Sequence, residues 1–72
     1  MHWVYILKDD VSGHLYVGYT ARLAQRLYEH RLAKPTFRFV YKESHSTQYK
    51  ALRREQYLKT GNGRCAIRNL IS

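Results

Sequence analysis

Three groups of residues have types and spacings that could do chemistry. Arg22, Arg26 and His30 follow one another at four-residue intervals, so on a helix they form a single ridge with Glu29 beside it. A guanidinium and an imidazole one turn apart can contact a phosphate oxygen and a reacting water together. The plainer reading of the same ridge is a solvated polar face. Glu55 forms the second group. Its helical neighbours are Ala51 and Leu52 on one side and Leu58 and Lys59 on the other, which puts its carboxylate on or beside the stripe that should face a core. A carboxylate there loses hydration unless something compensates. A metal ion would do so, and so would a salt bridge to Lys59 or Arg26. Tyrosine supplies the third group, with seven in the chain. Tyr5 and Tyr16 lie in two segments that read as paired strands, and if both point to one face two phenols converge over the sheet. Buried phenols more commonly pack and satisfy one hydrogen bond. His2, His14 and His45 have no partner at metal-ligand spacing and receive no role.

These side chains need a scaffold to position them. Trp3 to Leu7 is rich in aromatic and β-branched residues and predicts a strand. Asp9 to Gly13 is turn chemistry. His14 to Tyr19 predicts a second strand, antiparallel to the first. Thr20 is the candidate N-cap of a helix running from Ala21 to about Ala33, ended by Lys34-Pro35. Phe37 to Tyr41 predicts a third strand, and Ser44 to Thr47 a polar link with a cap at Ser46 or Thr47. Gln48 to Thr60 predicts a second helix stopped by Gly61. Gly63 to Ile71 predicts a short third helix or turn, with Ala66, Ile67, Leu70 and Ile71 apolar. The expected fold is α+β: a three-stranded sheet with helices packed against it, in the order β-β-α-β-α-(α). The strand order within the sheet does not follow from these patterns.

Composition narrows the function classes. At 72 residues the chain is expected to form one domain, 1–72, with modest burial. Its single cysteine, Cys65, can form neither an internal disulfide nor a cysteine zinc site and reads as a small packing residue. No apolar run could span a membrane and no signal peptide is evident, so a cytoplasmic, intracellular setting is expected. Lys and Arg number 13 against 5 Asp and Glu, a formal net charge of +8. Such an excess favours polyanionic partners through counterion release. Gly-rich phosphate loops, zinc-ligand arrays, His-Glu-x-x-His helices and serine nucleophile elbows are all missing, which removes most common enzyme classes.

Taken in order, the motifs resemble a known family. Val4-Tyr5-Ile6 and, ten positions after Tyr5, Tyr16-Val17-Gly18 resemble the paired GIY and YIG motifs of the GIY-YIG nuclease superfamily. The stretch from Tyr19 to His30 is similar to the segment that follows YIG in that family. The stretch from Ala51 to Gly61 is similar to its Arg-Glu-containing helix. The nearest likeness is to short single-domain members related to the N-terminal nuclease domain of an excinuclease.

The resemblance implies a three-stranded antiparallel sheet with a shallow active cleft and a metal-dependent endonuclease that hydrolyses DNA phosphodiester bonds. The substrate would be selected by structure or damage rather than by a long sequence. Carried over by position, Tyr5 matches the GIY tyrosine, Tyr16 the YIG tyrosine, Arg26 the catalytic arginine and Glu55 the metal-binding glutamate. His30 matches a histidine one turn after that arginine. Glu55 would hold Mg²⁺ or Mn²⁺, and Arg26 would stabilise charge on the phosphorus in flight. Tyr5, Tyr16 and His30 all stand as candidates for the base, since a phenol with a pKa near ~10 is a poor base unassisted. Gly18, matching the YIG glycine, is assigned with Arg22 and Lys59 to substrate binding. Val4 replaces the motif glycine, and neither Asn62 nor Asn69 aligns securely with the asparagine that several members carry late in the chain. DNA is the expected partner, with RNA, a homodimer and a protein partner left open. The competing reading is a non-catalytic nucleic-acid-binding module that has kept the fold. The catalytic reading requires Tyr5, Tyr16, Arg26, His30 and Glu55 to open onto one shared cleft.

Overall fold

A computed structural model of the protein describes residues 1–71. The elements are β1 (His2–Asp9), β2 (Leu15–Thr20), α1 (Leu23–Ala33), β3 (Phe37–His45), α2 (Gln48–Leu58) and α3 (Gly61–Ile71). The three strands form one antiparallel sheet in the order β2-β1-β3. The class and element order are those expected, and the central place of β1 is the feature the patterns left open.

That central place explains why Val4, Tyr5, Ile6 and Leu7 are buried in succession, since both faces of β1 are covered. Side chains alternate across a strand, so Val4 and Ile6 turn to one face while Tyr5 and Leu7 turn to the other. Val4 and Ile6 pack with Ala51 and Leu58 of α2 and Ile67 of α3 in the main core. Full burial of side chains of this size contributes roughly 1.5–3 kcal/mol each. Val17 and Tyr19 of β2, Val40 and Tyr41 of β3, and Ala66, Leu70 and Ile71 of α3 border the same core. The second face of the sheet carries Tyr5 and is covered by α1 far more lightly. Leu23, Leu27 and His30 of that helix are only half-buried, and Tyr28 and Leu32 are exposed.

The β1–β2 hairpin closes as its composition predicts. The Asp9 carboxylate accepts from the Val11 backbone N–H and from the Ser12 hydroxyl, both at 2.9 Å, and Gly13 takes a positive φ of 78°. Other boundaries differ. β3 continues through Ser44 and His45, where a polar link was expected, because Ser44 pairs with Trp3 and His45 with His2 across the ladder. A bulge opposite Ile6 and Leu7 shifts the β3 register there. Thr20 is not the N-cap of α1; Arg22 holds that position, and Thr20 Oγ1 accepts from the Arg22 N–H at 3.0 Å just ahead of it. Thr47 caps α2, its side chain accepting from the Lys50 N–H.

α2 ends at Leu58, not Thr60, and Gly61 opens α3 rather than stopping α2. Thr60 supplies the cap of α3, its hydroxyl oxygen accepting from the Gly63 N–H at 3.1 Å. The corner is tight, since a Cβ on Gly63 would meet the Tyr57 carbonyl oxygen at 1.9 Å. The third helix is thus a full 11-residue element. Cys65 lies exposed on it and is not a packing residue; the buried side of α3 is taken by Gly63 and Ile67. Among the described residues, no helix is long and apolar enough to cross a membrane.

Candidate active site

The second face of the sheet gathers most of the residues singled out by their chemistry, and Tyr5 lies at its centre. β1 places the Tyr5 ring under α1, only 5% exposed. Its hydroxyl is 3.2 Å from Nε2 of His30, and the two rings meet edge-on with centroids 5.8 Å apart. On its other side the ring crosses β2 at Gly18, the residue that pairs with Tyr5 in the ladder. A Cβ at Gly18 would meet Tyr5 Cζ and the hydroxyl oxygen at 2.4 Å each. The strand needs glycine here to make room for the phenol.

The charges around this pair set its protonation state. Burial pushes the Tyr5 hydroxyl above its ordinary value; the Arg26 guanidinium pulls the other way, and the carboxylates of Glu55 and Glu29 add to the rise. Burial lowers the His30 imidazole, assisted by the cations of Arg26 and Lys34 and opposed by Glu29. Near neutral pH the phenol therefore keeps its proton and the imidazole lacks one. In that state the Tyr5 O–H donates to His30 Nε2, which places the ring proton on Nδ1. Arg26 and Glu55, expected from their spacing to join this site, do so electrostatically, because both are near enough to shift the Tyr5 hydroxyl.

Glu55 projects from α2 beside the buried stripe of Ala51 and Leu58, its side chain 18% exposed. Its Oε2 is 3.8 Å from Nζ of Lys59, the i+4 pairing weighed against a metal role, while Lys59 itself is largely exposed. Among the described residues, no three His, Cys, Asp or Glu side chains are grouped so that they could hold a metal ion. An all-protein metal cage is therefore ruled out for this part of the chain. A magnesium-type site is commonly built from one or two carboxylates, completed by water and substrate phosphate. Glu55 fits that kind of site as the single protein ligand, since it is half-buried, reachable and close enough to the Tyr5 hydroxyl to act on it.

Tyr16 shares the Tyr5 face, since it pairs with Leu7 in the ladder, but the two phenols do not converge. The Tyr16 ring packs against Phe37, centroids 4.9 Å apart, and is 47% exposed. Lys34 Nζ lies 4.5 Å above that ring and 5.0 Å from the Phe37 ring. Spacing gave no sign of Lys34, because it follows the helix and reaches the face only through the turn at Pro35. The expectation of a single shared cleft also needs correction. Arg26 lines a small groove with Arg22 and Glu29. His30 lines a second, between α1 and β3. Tyr16 and Lys59 line a third, along β2. The arrangement is an open surface centred on Tyr5.

The opposite face carries a polar cluster that residue spacing did not reveal. Glu43 accepts from the Tyr41 hydroxyl at 2.9 Å and from Arg54 Nε at 3.1 Å, and pairs with His45 Nε2 at 2.5 Å. Burial alone would raise its carboxyl; the hydrogen bonds of His45 and Tyr41 and the charge of Arg54 outweigh that and lower it. Three of its members alternate along β3, at 41, 43 and 45, a signal hidden because the strand pattern alone ends at Tyr41. Asn62 and Asn69 are both exposed on α3, and the fold gives neither a place in the Tyr5 cluster.

No curated protein and no solved structure matches the chain. The family comparison does give a match, to a domain described as the GIY-YIG catalytic domain, which has a nuclease-type fold and so implies a nucleic-acid substrate. The match runs over residues 1–68, all but the last four positions, and the chain therefore belongs to the GIY-YIG family.

Proposed function

We propose that the protein is a divalent-metal-dependent endonuclease that hydrolyses DNA phosphodiester bonds, selecting its substrate by structure or damage rather than by a long sequence. The observation that carries this reading is the Tyr5–His30 hydrogen bond, set across Gly18 and within the fields of Arg26 and Glu55. A raised phenol is a weak base by itself. A neutral imidazole at hydrogen-bond distance changes that, because the Tyr5 proton can pass to His30 Nε2 as the Tyr5 oxygen takes a proton from water. The hydroxide so formed attacks phosphorus, and the bond to the leaving oxygen breaks on the opposite side. Arg26 offsets the charge that builds on the phosphoryl oxygens. Glu55 would hold Mg²⁺ or Mn²⁺, which supplies positive charge to a phosphate oxygen and to the leaving oxygen. Arg22 and Lys59 extend the cationic surface to either side. The assignment makes Tyr5, aided by His30, the base, and leaves Tyr16 to contact the substrate at the rim.

A nicking assay on supercoiled, branched and single-stranded DNA tests the proposal. Cleavage with Mg²⁺ or Mn²⁺ that stops on chelation is the expected result. Lack of cleavage on all three substrates with either ion would overturn it.

A further inference from the structure

A groove of about 660 Å³ runs along the free edge of β2, between that strand and the C-terminal helices. β2 supplies Leu15, Tyr16 and Val17, the hairpin supplies His14, and Lys59, Arg64 and Arg68 face it from the end of α2 and from α3. Arg64 and Arg68 are one turn apart on α3, so they form one cationic ridge, and both are exposed. Three cations and a histidine line this groove, and no carboxylate does. Its floor is apolar where Val17, Leu58 and Ile67 contribute, and its rim carries Leu15, 38% exposed, and Tyr16, 47% exposed.

A cationic wall beside exposed apolar and aromatic surface is what an unpaired strand needs, because phosphates meet the charges while bases, freed from pairing, stack on the flat groups. A duplex offers phosphates but keeps its bases inside. The groove is also continuous with the Tyr5 surface. Tyr16 stands on the Tyr5 face of the sheet, and Lys59 is 3.8 Å from Glu55.

We infer that this groove binds an unpaired DNA strand flanking the bond to be cut, with Arg64 and Arg68 on its phosphates and Leu15 and Tyr16 against its bases. The inference rests on the nuclease reading above. It makes the substrate a junction between paired and unpaired DNA, the kind of structure a domain without a long recognition surface can distinguish.

The test is equilibrium binding in the presence of a chelator, so cleavage does not enter. The probes are a short fluorescent oligodeoxythymidine, an oligouridine of equal length and a blunt duplex, each titrated over a range of salt. The variants are R64Q/R68Q and, as a control of equal charge on the outer side of α2, K50Q/R53Q. Thermal melts establish that both are folded. R64Q/R68Q is expected to lose about tenfold in oligodeoxythymidine affinity. Its log K against log salt slope should flatten by about 1.4, the value for two single-strand phosphate contacts at ~0.7 each. Duplex affinity should change less than about twofold, and the control should stay within the same margin on every probe, as expected for charges outside the contact.

An unchanged salt slope in R64Q/R68Q would overturn the groove assignment, and so would an equal loss in K50Q/R53Q. An equal loss on the duplex would overturn the unpaired-strand assignment, and tighter binding of oligouridine would overturn the choice of DNA. Because the readout is binding without metal, failure here leaves the cleavage assay untouched, and failure of cleavage leaves this result standing.

Discussion

The Tyr5 phenol lies across the position where Gly18 would otherwise carry a Cβ, with 2.4 Å between that point and both Cζ and the hydroxyl oxygen of the ring. The two residues are also partners in the β1–β2 ladder. The glycine therefore fixes where the tyrosine hydroxyl can be, and the tyrosine fixes what β2 can carry.

The first prediction follows directly. Gly18→Ala should turn the Tyr5 ring away and break its 3.2 Å contact with His30. Cleavage should fall about 10²–10⁴-fold, the range for losing a general base. Stability should drop by about 1–3 kcal/mol, as for an overpacked core. Tyr5→Phe alone should lose activity to a similar extent, and adding Gly18→Ala to it should cost little further activity. Additive losses in the double variant would show that Gly18 acts by some route other than the ring.

The pH dependence comes from His30. Its folded-state pKa is lowered by burial and by Arg26 and Lys34, so the neutral form is favoured in the folded protein. A lowered pKa means that the unfolded chain binds more protons, so stability rises with pH. The His30 contribution is fully present above the ordinary imidazole value of about 6.5 and is lost as pH falls through the lower folded value. Urea melts across that window should show wild type losing stability relative to His30→Gln. The acid limb of the cleavage profile should lie below about 6.5, and Lys34→Gln should move it upward by removing one of the lowering charges. An acid limb unaffected by Lys34→Gln would remove His30 from the base assembly.

The third prediction concerns the opposite face. Glu43→Ala leaves Tyr41, His45 and Arg54 without their shared acceptor. Because the carboxylate is largely buried, the expected loss is about 1–3 kcal/mol of stability. The wild-type Glu43 pKa is lowered, so its contribution is present above the usual carboxylate range and disappears as pH falls through the folded value. Below its melting temperature the variant should cleave DNA normally. A selective loss of cleavage in a folded Glu43→Ala protein would mean that the cluster belongs to the site.

Much of this arrangement was legible in the residues. The apolar run of β1, the turn chemistry from Asp9 to Gly13 and the Arg22–Arg26–His30 ridge each depend on local spacing, and each took its expected place. What stayed hidden depended on distant partners. Ser44 and His45 look like loop residues until His2 and Trp3 provide a ladder for them. Thr60 and Gly61 look like a helix end, but the close approach of Gly63 to Tyr57 turns the chain directly into α3. Tyr16 was expected to meet Tyr5, and its rotation toward Phe37 and Lys34 is decided by the turn after α1. Arg64 and Arg68 carry no signal in the sequence because a groove along β2 exists only once α3 packs beside it.

The most direct test of the central claim is Glu55→Gln, assayed for melting, DNA binding and metal-dependent nicking together. The Lys59 pairing is long, at 3.8 Å, and its lysine is exposed, so removing the carboxylate charge should alter stability by less than about 1 kcal/mol. The account predicts a folded protein that binds DNA as wild type does and no longer nicks it with Mg²⁺ or Mn²⁺. A folded Glu55→Gln protein with undiminished metal-dependent cleavage would contradict it.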